Sequence, residues 1–519
     1  MNEGPYVLQP STLFSDSIIW SLNRDFYHDK GIAAWSDKIV PHHMTSNAKV
    51  GKLYAELIIG TLKDLASQGN VEQTVYIMEL GAGHGRLAFH ILMHLEQLID
   101  NESKVLPPYC FVLSDIVESN LVFFEDHSQL QLYIDKGVLD VAYFDAIGTD
   151  EIVLRKSGVV IKPQSLEQPI LAIGNYFFDS IASDLFYIKS QQVAEVSVTM
   201  TTQIDPKDLD NASIIKLMQT EYDDTLITLP HYHDQIRDEM LDEYRLSLAD
   251  SYLFFPFKSL KCIDTLRQFS RIGLILMTMD KGFHELHNLQ NRKQPDLVSH
   301  GSFSLWVNFH ALNNYCLKLG GTAMFSKFSN FHLEMGTLFF TDKSQTYHHV
   351  EQAFEQYVND FGPDDFNSLK KMAYLNISRL TLKELIALYR LSVYDSGFFI
   401  SLLPRLKQLA KALSHEERRR LIQTLHKVWK MYFAINEEFD LAYSIGGLFY
   451  DIGCYQEALD YFDCSISEYG DKADTFCNQA LCYYQLRQDE LFYKQLKLTQ
   501  DKYPGYAQLA QLEGLDMAS

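Results

Sequence analysis

Val75-Tyr-Ile-Met-Glu-Leu80 runs without a break into Gly81-Ala-Gly83-His-Gly85-Arg86, and the reading of this stretch decides the fold. A short apolar run rich in β-formers reads as a strand covered on both faces. The glycines after it allow a sharp turn and a close approach of backbone to a neighbour, and a helix is expected over residues 86–100. Four more runs repeat the pattern: YCFVL (109–113), LDVAYF (139–144), PILAIG (169–174) and GLILMTM (273–279). Short apolar strands alternating with helices predict a doubly wound α/β sheet, whose ligands bind beyond the C-terminal strand ends.

The loop spacing is GxGxG and not the GxGxxG of dinucleotide folds, and an acid, Glu79, stands directly before it. A carboxylate is poorly placed beside a pyrophosphate and well placed beside a cation. S-adenosylmethionine, with an ammonium, a sulfonium and no phosphate, is therefore the expected ligand, ahead of NAD. Glu79, Gly81, Ala82, Gly83 and Gly85 are its candidate contacts, and His84 is expected to contribute its backbone. Asp115, with Ile116 beside it, ends the second strand, where a carboxylate can accept ribose hydroxyls. The long linker NESKVLPP explains its distance from the loop. Asp145 and Ala146 end the third strand, where an acid can accept an adenine amino group and a backbone amide can meet the ring.

Gly174-Asn-Tyr-Phe-Phe-Asp-Ser-Ile181 lies just past a fourth strand. Asn175 can accept from an N–H while an aromatic face stacks on a planar group, so Asn175, Phe178 and Asp179 are the candidate acceptor-site residues, with Asp179 the nearest proton acceptor. Methyl transfer to nitrogen is mostly a matter of alignment and proton removal. Core packing of Phe177 and Phe178, and helix capping by Asp179, are the plain alternatives. No metal site is expected.

The 519 residues allow two to four domains, and the 47% hydrophobic content supports a large core. A net charge of −22 argues against a nucleic-acid binder. Seven cysteines with no CxxC suggest a reducing compartment. No apolar run is long enough to span a membrane, and the acidic first thirty residues resemble neither a secretory signal nor a mitochondrial presequence. A cytoplasmic location is expected. The division expected is an N-terminal helical lid over the cofactor site (1–74), a methyltransferase domain (75–346) with an acidic insertion (203–250), and a helical domain (347–519). The insertion reads as a solvated helical face or as an acidic rim for a basic substrate. In the tail, residues 442–462 align with 476–496 at a 34-residue offset, placing Gly446 on Ala480, Tyr450 on Tyr484 and Phe462 on Leu496. That is the tetratricopeptide period. The helices between 365 and 438 are expected to complete the stack, and its open face to take a protein partner.

The loop at 79–85, the strand end at 174–181, and Val40-Pro-His-His-Met-Thr-Ser-Asn-Ala48 leading into Leu53-Tyr-Ala-Glu56 resemble the MidA-like methyltransferases. That family includes the mitochondrial complex I assembly protein-arginine methyltransferase. Residues 298–321 resemble its late strand–helix segment. The resemblance covers residues 23–338 and leaves out the tail. It implies a class I, Rossmann-like methyltransferase fold, S-adenosylmethionine as cofactor, Thr45 near it, and protein arginine as acceptor. Tyr176 stands where the family has a glutamate, and Val307-Asn308-Phe309 where it has Val-Asp-Phe. The expectation is a protein N-methyltransferase with a recruiting repeat domain. A small-molecule methyltransferase and a silent scaffold that kept the cofactor fold stay open as alternatives.

Overall fold

The computed structural model describes residues 5–41, 44–296, 303, 305–328, 333–343 and 345–515; His42 and His43, singled out by the resemblance, lie outside them. The chain divides into two compact units, Met1–Asp365 and Phe366–Ser519. The first holds β1 (Tyr6–Leu13), α1 (Ile18–Lys30), α2 (Ala33–Ser36), α3 (Ala48–Ser67), β2 (Val75–Glu79), α4 (Arg86–Asp100), β3 (Tyr109–Asp115), α5 (Glu118–Asp126), α6 (Ser128–Asp135) and β4 (Leu139–Tyr143). Then come β5 (Ile152–Val153), β6 (Val160–Ile161), β7 (Ile170–Asn175), β8 (Asp184–Lys189), β9 (Gln192–Thr202), α7 (Asn211–Leu217), β10 (Gln219–Leu226), α8 (Gln235–Ser247), β11 (Asp250–Phe255) and α9 (Phe257–Gln268). It closes with β12 (Leu274–Phe283), β13 (Val307–Asn308), α10 (Phe309–Lys318), β14 (Thr322–Phe325), β15 (Leu333–Phe340) and α11 (His348–Phe354).

All five apolar runs are strands of one sheet, in the order β14-β15-β12-β7-β2-β3-β4, with β13 added on β12. The five strands from β12 to β4 are parallel, while β15 and β14 are antiparallel additions. The chain builds outward from β2 through β3 to β4, then returns to lay β7 on the other side of β2. The order reverses between β2 and β7, and a crevice opens beyond such a switch point.

Helix α3 forms where expected. The Asn47 side chain caps it, accepting from the Val50 amide at 3.0 Å. It packs so closely on α4 that a methyl group at Gly51 would lie 2.3 Å from His90 Cβ. Near its other end the buried Asp64 accepts from the amides of His349 (3.0 Å) and Val350 (3.1 Å), which caps α11 and pins it to α3. This is why the first unit runs to Asp365, past the boundary expected at 346.

Two expectations change more. The N-terminal segment opens with a strand and not only helices, and the acidic insertion contributes another. Strands β1, β9, β8 and β11, with β10 on the free side of β9, form a second, antiparallel sheet. Thr220 and Tyr222 of β10 turn half inward while Glu221, Asp223 and Asp224 stay in water or at its edge. That period-two pattern marks a one-sided strand, and the charges masked it. Four other acids of 203–250 serve the local backbone. Asp205, Asp210 and Asp234 cap the helices that follow them, and Asp238 accepts from the amides of His231 and Tyr232. Asp242, Glu239, Glu243 and Asp250 instead pair with Arg245, Lys318 and Lys189.

The second unit is helical among its described residues: α12 (Pro363–Leu375), whose first three residues belong to the first unit, α13 (Leu382–Leu391), α14 (Ser396–Leu409), α15 (His415–Lys430), α16 (Leu441–Asp451), α17 (Tyr455–Tyr469), α18 (Ala473–Gln485), α19 (Asp489–Lys502) and α20 (Leu509–Glu513). Asp451 and Gln485 end helices, and Tyr455 and Asp489 open them, at the 34-residue spacing. Gly446 lets α16 approach α17, since a methyl there would lie 2.8 Å from the Phe462 ring.

Gly51→Ala tests the α3–α4 contact. Alanine gains helix propensity, but no methyl fits against His90, and overpacking of this kind costs about 1–3 kcal/mol. A lower urea midpoint than the parent chain is expected, read by circular dichroism.

Candidate functional site

The loop leaving β2 is fixed by its neighbours on both sides. The Leu80 amide donates to the Ile173 carbonyl (2.8 Å) and the Ala82 amide to the Ser114 carbonyl (2.8 Å). The Ser114 hydroxyl donates to the Glu79 carbonyl (2.7 Å). Gly81, Gly83 and Gly85 adopt φ of 59°, 62° and 72°, the left-handed region where a side chain is strained. Each also lies under an aromatic ring: a methyl would come within 3.3 Å of Phe177 at Gly81, 2.9 Å of Trp35 at Gly83, and 3.2 Å of Phe124 at Gly85. His84 serves the turn through its ring as well as its backbone, since Nδ1 accepts from the Arg86 amide at 3.2 Å.

Glu79 is 4% exposed, and its Oε2 has no hydrogen-bond partner among the described residues. Burial, with Asp115 adding a second negative charge, pushes its carboxyl up to about 8. An unsatisfied buried carboxyl is costly, and a cation set against it would offset that cost. The glycine turn and this acid fit a cationic ligand such as S-adenosylmethionine.

The two acids expected to hold the nucleoside are already engaged. Asp115 accepts from the Gly83 amide through Oδ2 (2.9 Å) and from the Val117 amide through Oδ1 (2.9 Å). These bonds oppose the upward push of burial on its carboxyl and fasten the glycine loop to the end of β3. Each carboxylate oxygen has a second lone pair to offer. Asp145 is ion-paired with Arg24 at 2.6 Å and accepts from the Ile147 amide at 3.1 Å. Ile116 and Ala146, beside these acids, are half-buried.

Beyond β7, Asn175 does not present a free amide. The Tyr54 hydroxyl donates to its Oδ1, and its Nδ2 donates to the carbonyl of the buried Thr45 at 3.4 Å. Its amide therefore ties β7 to α3 and to the segment before it. Phe178, expected to stack on an acceptor, is 3% exposed and belongs to the main core, edge-on to Phe177. A single helical turn over Phe178–Ser180 follows β7 closely and leaves both Phe178 and Asp179 buried. Asp179 is buried too, and its amide donates to Asp280 Oδ2 at 3.3 Å. Burial raises Asp179 to about 6, and burial together with the Asp179 charge raises Asp280 well above the usual carboxylate range. Tyr176, at φ 47°, has its hydroxyl pushed up by burial and then by Asp280 and Asp179. Tyr54 responds first to burial, then to Glu79 and Asp280. Tyr54 thus lies within reach of the charges of Glu79 and Asp280, and Tyr176 within reach of those of Asp179 and Asp280.

Of the residues predicted from sequence, the structure brings Gly83 and Asp115 together in the loop that follows Glu79 and sets Asp179 beside Asp280. The sequence reading did not single out Asp280, Tyr54, Trp35 or Arg24. Asp280 carried a usable signal, an acid following an apolar strand, the same one that marked Glu79 and Asp115. Tyr54, Trp35 and Arg24 reach the site only through tertiary packing.

No family model matches the chain, and no curated protein matches it. Among solved structures, a COG1565 superfamily protein from Burkholderia thailandensis is similar at 14% identity and a TM-score of 0.37, over 61% of this chain and 74% of that one. A member of that superfamily from the same organism, bound to S-adenosyl-homocysteine, is similar at 14% identity and a TM-score of 0.35, over 60% and 79%. The CMeT domain of the citrinin polyketide synthase gives 9% identity and a TM-score of 0.24, over 52% and 47%. No described helix is long and apolar enough to cross a membrane, and no described cluster of side chains has the makings of a metal site.

The Glu79 carboxyl sets a pH dependence. Its folded value near 8 lies above the ordinary 4.5, so its contribution to stability is full below about 4.5 and is lost as pH rises through 8. Glu79→Gln removes that loss. Relative to the parent, the variant is expected to gain on the order of 1–3 kcal/mol between pH 5 and pH 9, measured by urea unfolding at both values.

Proposed function

We propose that the chain is an S-adenosylmethionine-dependent methyltransferase acting on a protein nitrogen, with arginine the leading acceptor, and that its helical second unit recruits the protein partner as a tetratricopeptide-type surface. The observation that carries the reading is Glu79: a buried carboxyl with an unpartnered oxygen, at the head of a left-handed glycine turn, at the switch point of a doubly wound sheet. The resemblance to the MidA-like methyltransferases points the same way.

When bound, S-adenosylmethionine supplies an electrophilic methyl group on a sulfonium. Glu79 would hold its ammonium, the turn at 81–85 would bring backbone against it, and Asp115 would offer its remaining lone pairs to the ribose. Asp179 and Asp280 favour a positively charged acceptor, since two adjacent buried carboxyls are relieved by a cation. Asp179, near 6, is the proton acceptor suited to neutral pH. Asn175, braced by Tyr54 and Thr45, keeps the lip of the sheet in place and does not itself accept from the substrate.

Calorimetric titration with S-adenosylmethionine and S-adenosyl-homocysteine tests the reading; binding of neither at millimolar concentration would refute it. Affinity is expected to rise about tenfold per pH unit up to about 8 and then level off, because only ionised Glu79 pairs with the ligand cation. Glu79→Gln should weaken binding and flatten that profile.

Removal of everything after Asp365 is expected to leave cofactor binding intact while slowing methylation of the protein partner, since a tethered recruiting surface raises local acceptor concentration. Labelled-cofactor transfer to lysate proteins, compared between full and shortened chains, checks this. An unchanged transfer pattern would leave the second unit without a recruiting role.

A further inference from the structure

The contacts of α1 and α2 have no part in the function just described, yet they converge on the cofactor crevice. Trp35 of α2 lies against Gly83, so close that a methyl there would be 2.9 Å from its ring, and it meets the His84 ring edge-on at 5.4 Å. Tyr27 of α1 stacks behind it at 5.7 Å and 26°. Arg24, one turn earlier on α1, reaches Asp145 at 2.6 Å. The turn between the two helices, at Gly31 with φ 50°, presses on α5, where a methyl would lie 2.7 Å from Ser119 Oγ. One segment therefore touches the ends of β2, β3 and β4, along the rim where a nucleoside would lie. Two features that the sequence assigns to the ligand, the bare face of Gly83 and the carboxylate of Asp145, are taken by the protein's own side chains.

Ile19, at the start of α1, is anchored in the core of the second sheet, and the rest of the segment is built apart from it. Leu22, Phe26 and Ala34 pack with Ile215 of α7 in a small cluster of their own. The Arg24–Asp145 pair is at the surface, with the Arg24 side chain 43% exposed, so it is a weak latch.

We propose that α1 and α2 form a strap across the crevice, latched by Arg24 on Asp145 and by Trp35 on Gly83, and that cofactor binds only as the strap lifts. The proposal rests on the cofactor reading above and adds that binding competes with the chain's own contacts. A ligand then spends part of its binding energy on opening the strap, and its apparent affinity falls by the fraction of chains that are open.

Arg24→Gln, Trp35→Ala and Trp35→Phe in the full chain test this, with S-adenosyl-homocysteine as the probe and calorimetry and tryptophan emission as readouts. Arg24→Gln is a surface change that should fold normally, and it is expected to bind the probe about two- to fivefold tighter than the parent. Trp35→Ala, where it folds, should bind tighter still. The probe should change the emission of the parent, which has four tryptophans, and most of that change should vanish in Trp35→Phe. Weaker binding by Arg24→Gln would make Arg24 a ligand contact and overturn the proposal. Equal binding with no emission change from Trp35 would overturn it too, leaving the cofactor reading in place. If neither parent nor variants bind the probe, the cofactor reading fails and the strap with it.

Discussion

A backbone that passes three times through the left-handed region within five residues has no side chains with which to cover itself, and this constraint organises the first unit. Something else must lie over Gly81, Gly83 and Gly85, and three separate parts of the chain each supply an aromatic ring: Phe177 from beyond β7, Trp35 from α2 and Phe124 from α5. The loop cannot drift, because its amides are bound to the ends of β3 and β7. Asp115 is the central fastening. By accepting from Gly83 it turns the end of one strand into a brace for the loop that leaves the next. The crevice at the switch point is thus a rigid floor with a covered rim.

The charge on that floor has one sign. Glu79, Asp179 and Asp280 are all buried, and all are held above the usual carboxylate range. Desolvation is the leading cause for each, and the neighbouring carboxyl comes second for Glu79 and Asp280. Such a group is stable while protonated and becomes costly when ionised without a cation. The chain keeps its acids where a positive ligand would be the natural counter-charge. His90, behind the loop on α4, follows the opposite rule: burial, then Arg86, depress its pKa, and it stays neutral. The polar groups of this region are therefore set for a narrow range of charge states.

Much of this was legible in sequence. Buried parallel strands must be apolar throughout, so five of them stood out, and an acid interrupting such a run at its end stood out as well. The glycine turn was visible because three left-handed positions strongly favour glycine. The 34-residue spacing in the tail was visible because equivalent helix ends recur at that interval. What stayed hidden depends on contacts distant in the chain. Arg24 and Asp145 are ordinary surface residues until the fold joins them. Asn175 looked like a free amide because its partners, Tyr54 and Thr45, come from the far side of the crevice. Phe178 looked like a lip residue because nothing local shows that the chain dives inward there. The second sheet was hidden by its own solvation, since β1 and β10 carry only half the apolar pattern of a core strand.

That outer strand has a consequence for how the molecule behaves among copies of itself. β10 pairs with β9 and, among the described residues, with no other strand. Its open side is a row of backbone donors and acceptors of the kind that invites another strand to add on. Glu221, Asp223 and Asp224 line this margin, so two copies approaching edge to edge would bring six carboxylates together. Mutual repulsion of that kind guards against aggregation. It weakens as salt screens the carboxylates, which makes high ionic strength the condition under which this sheet is most exposed to growing from one molecule into the next.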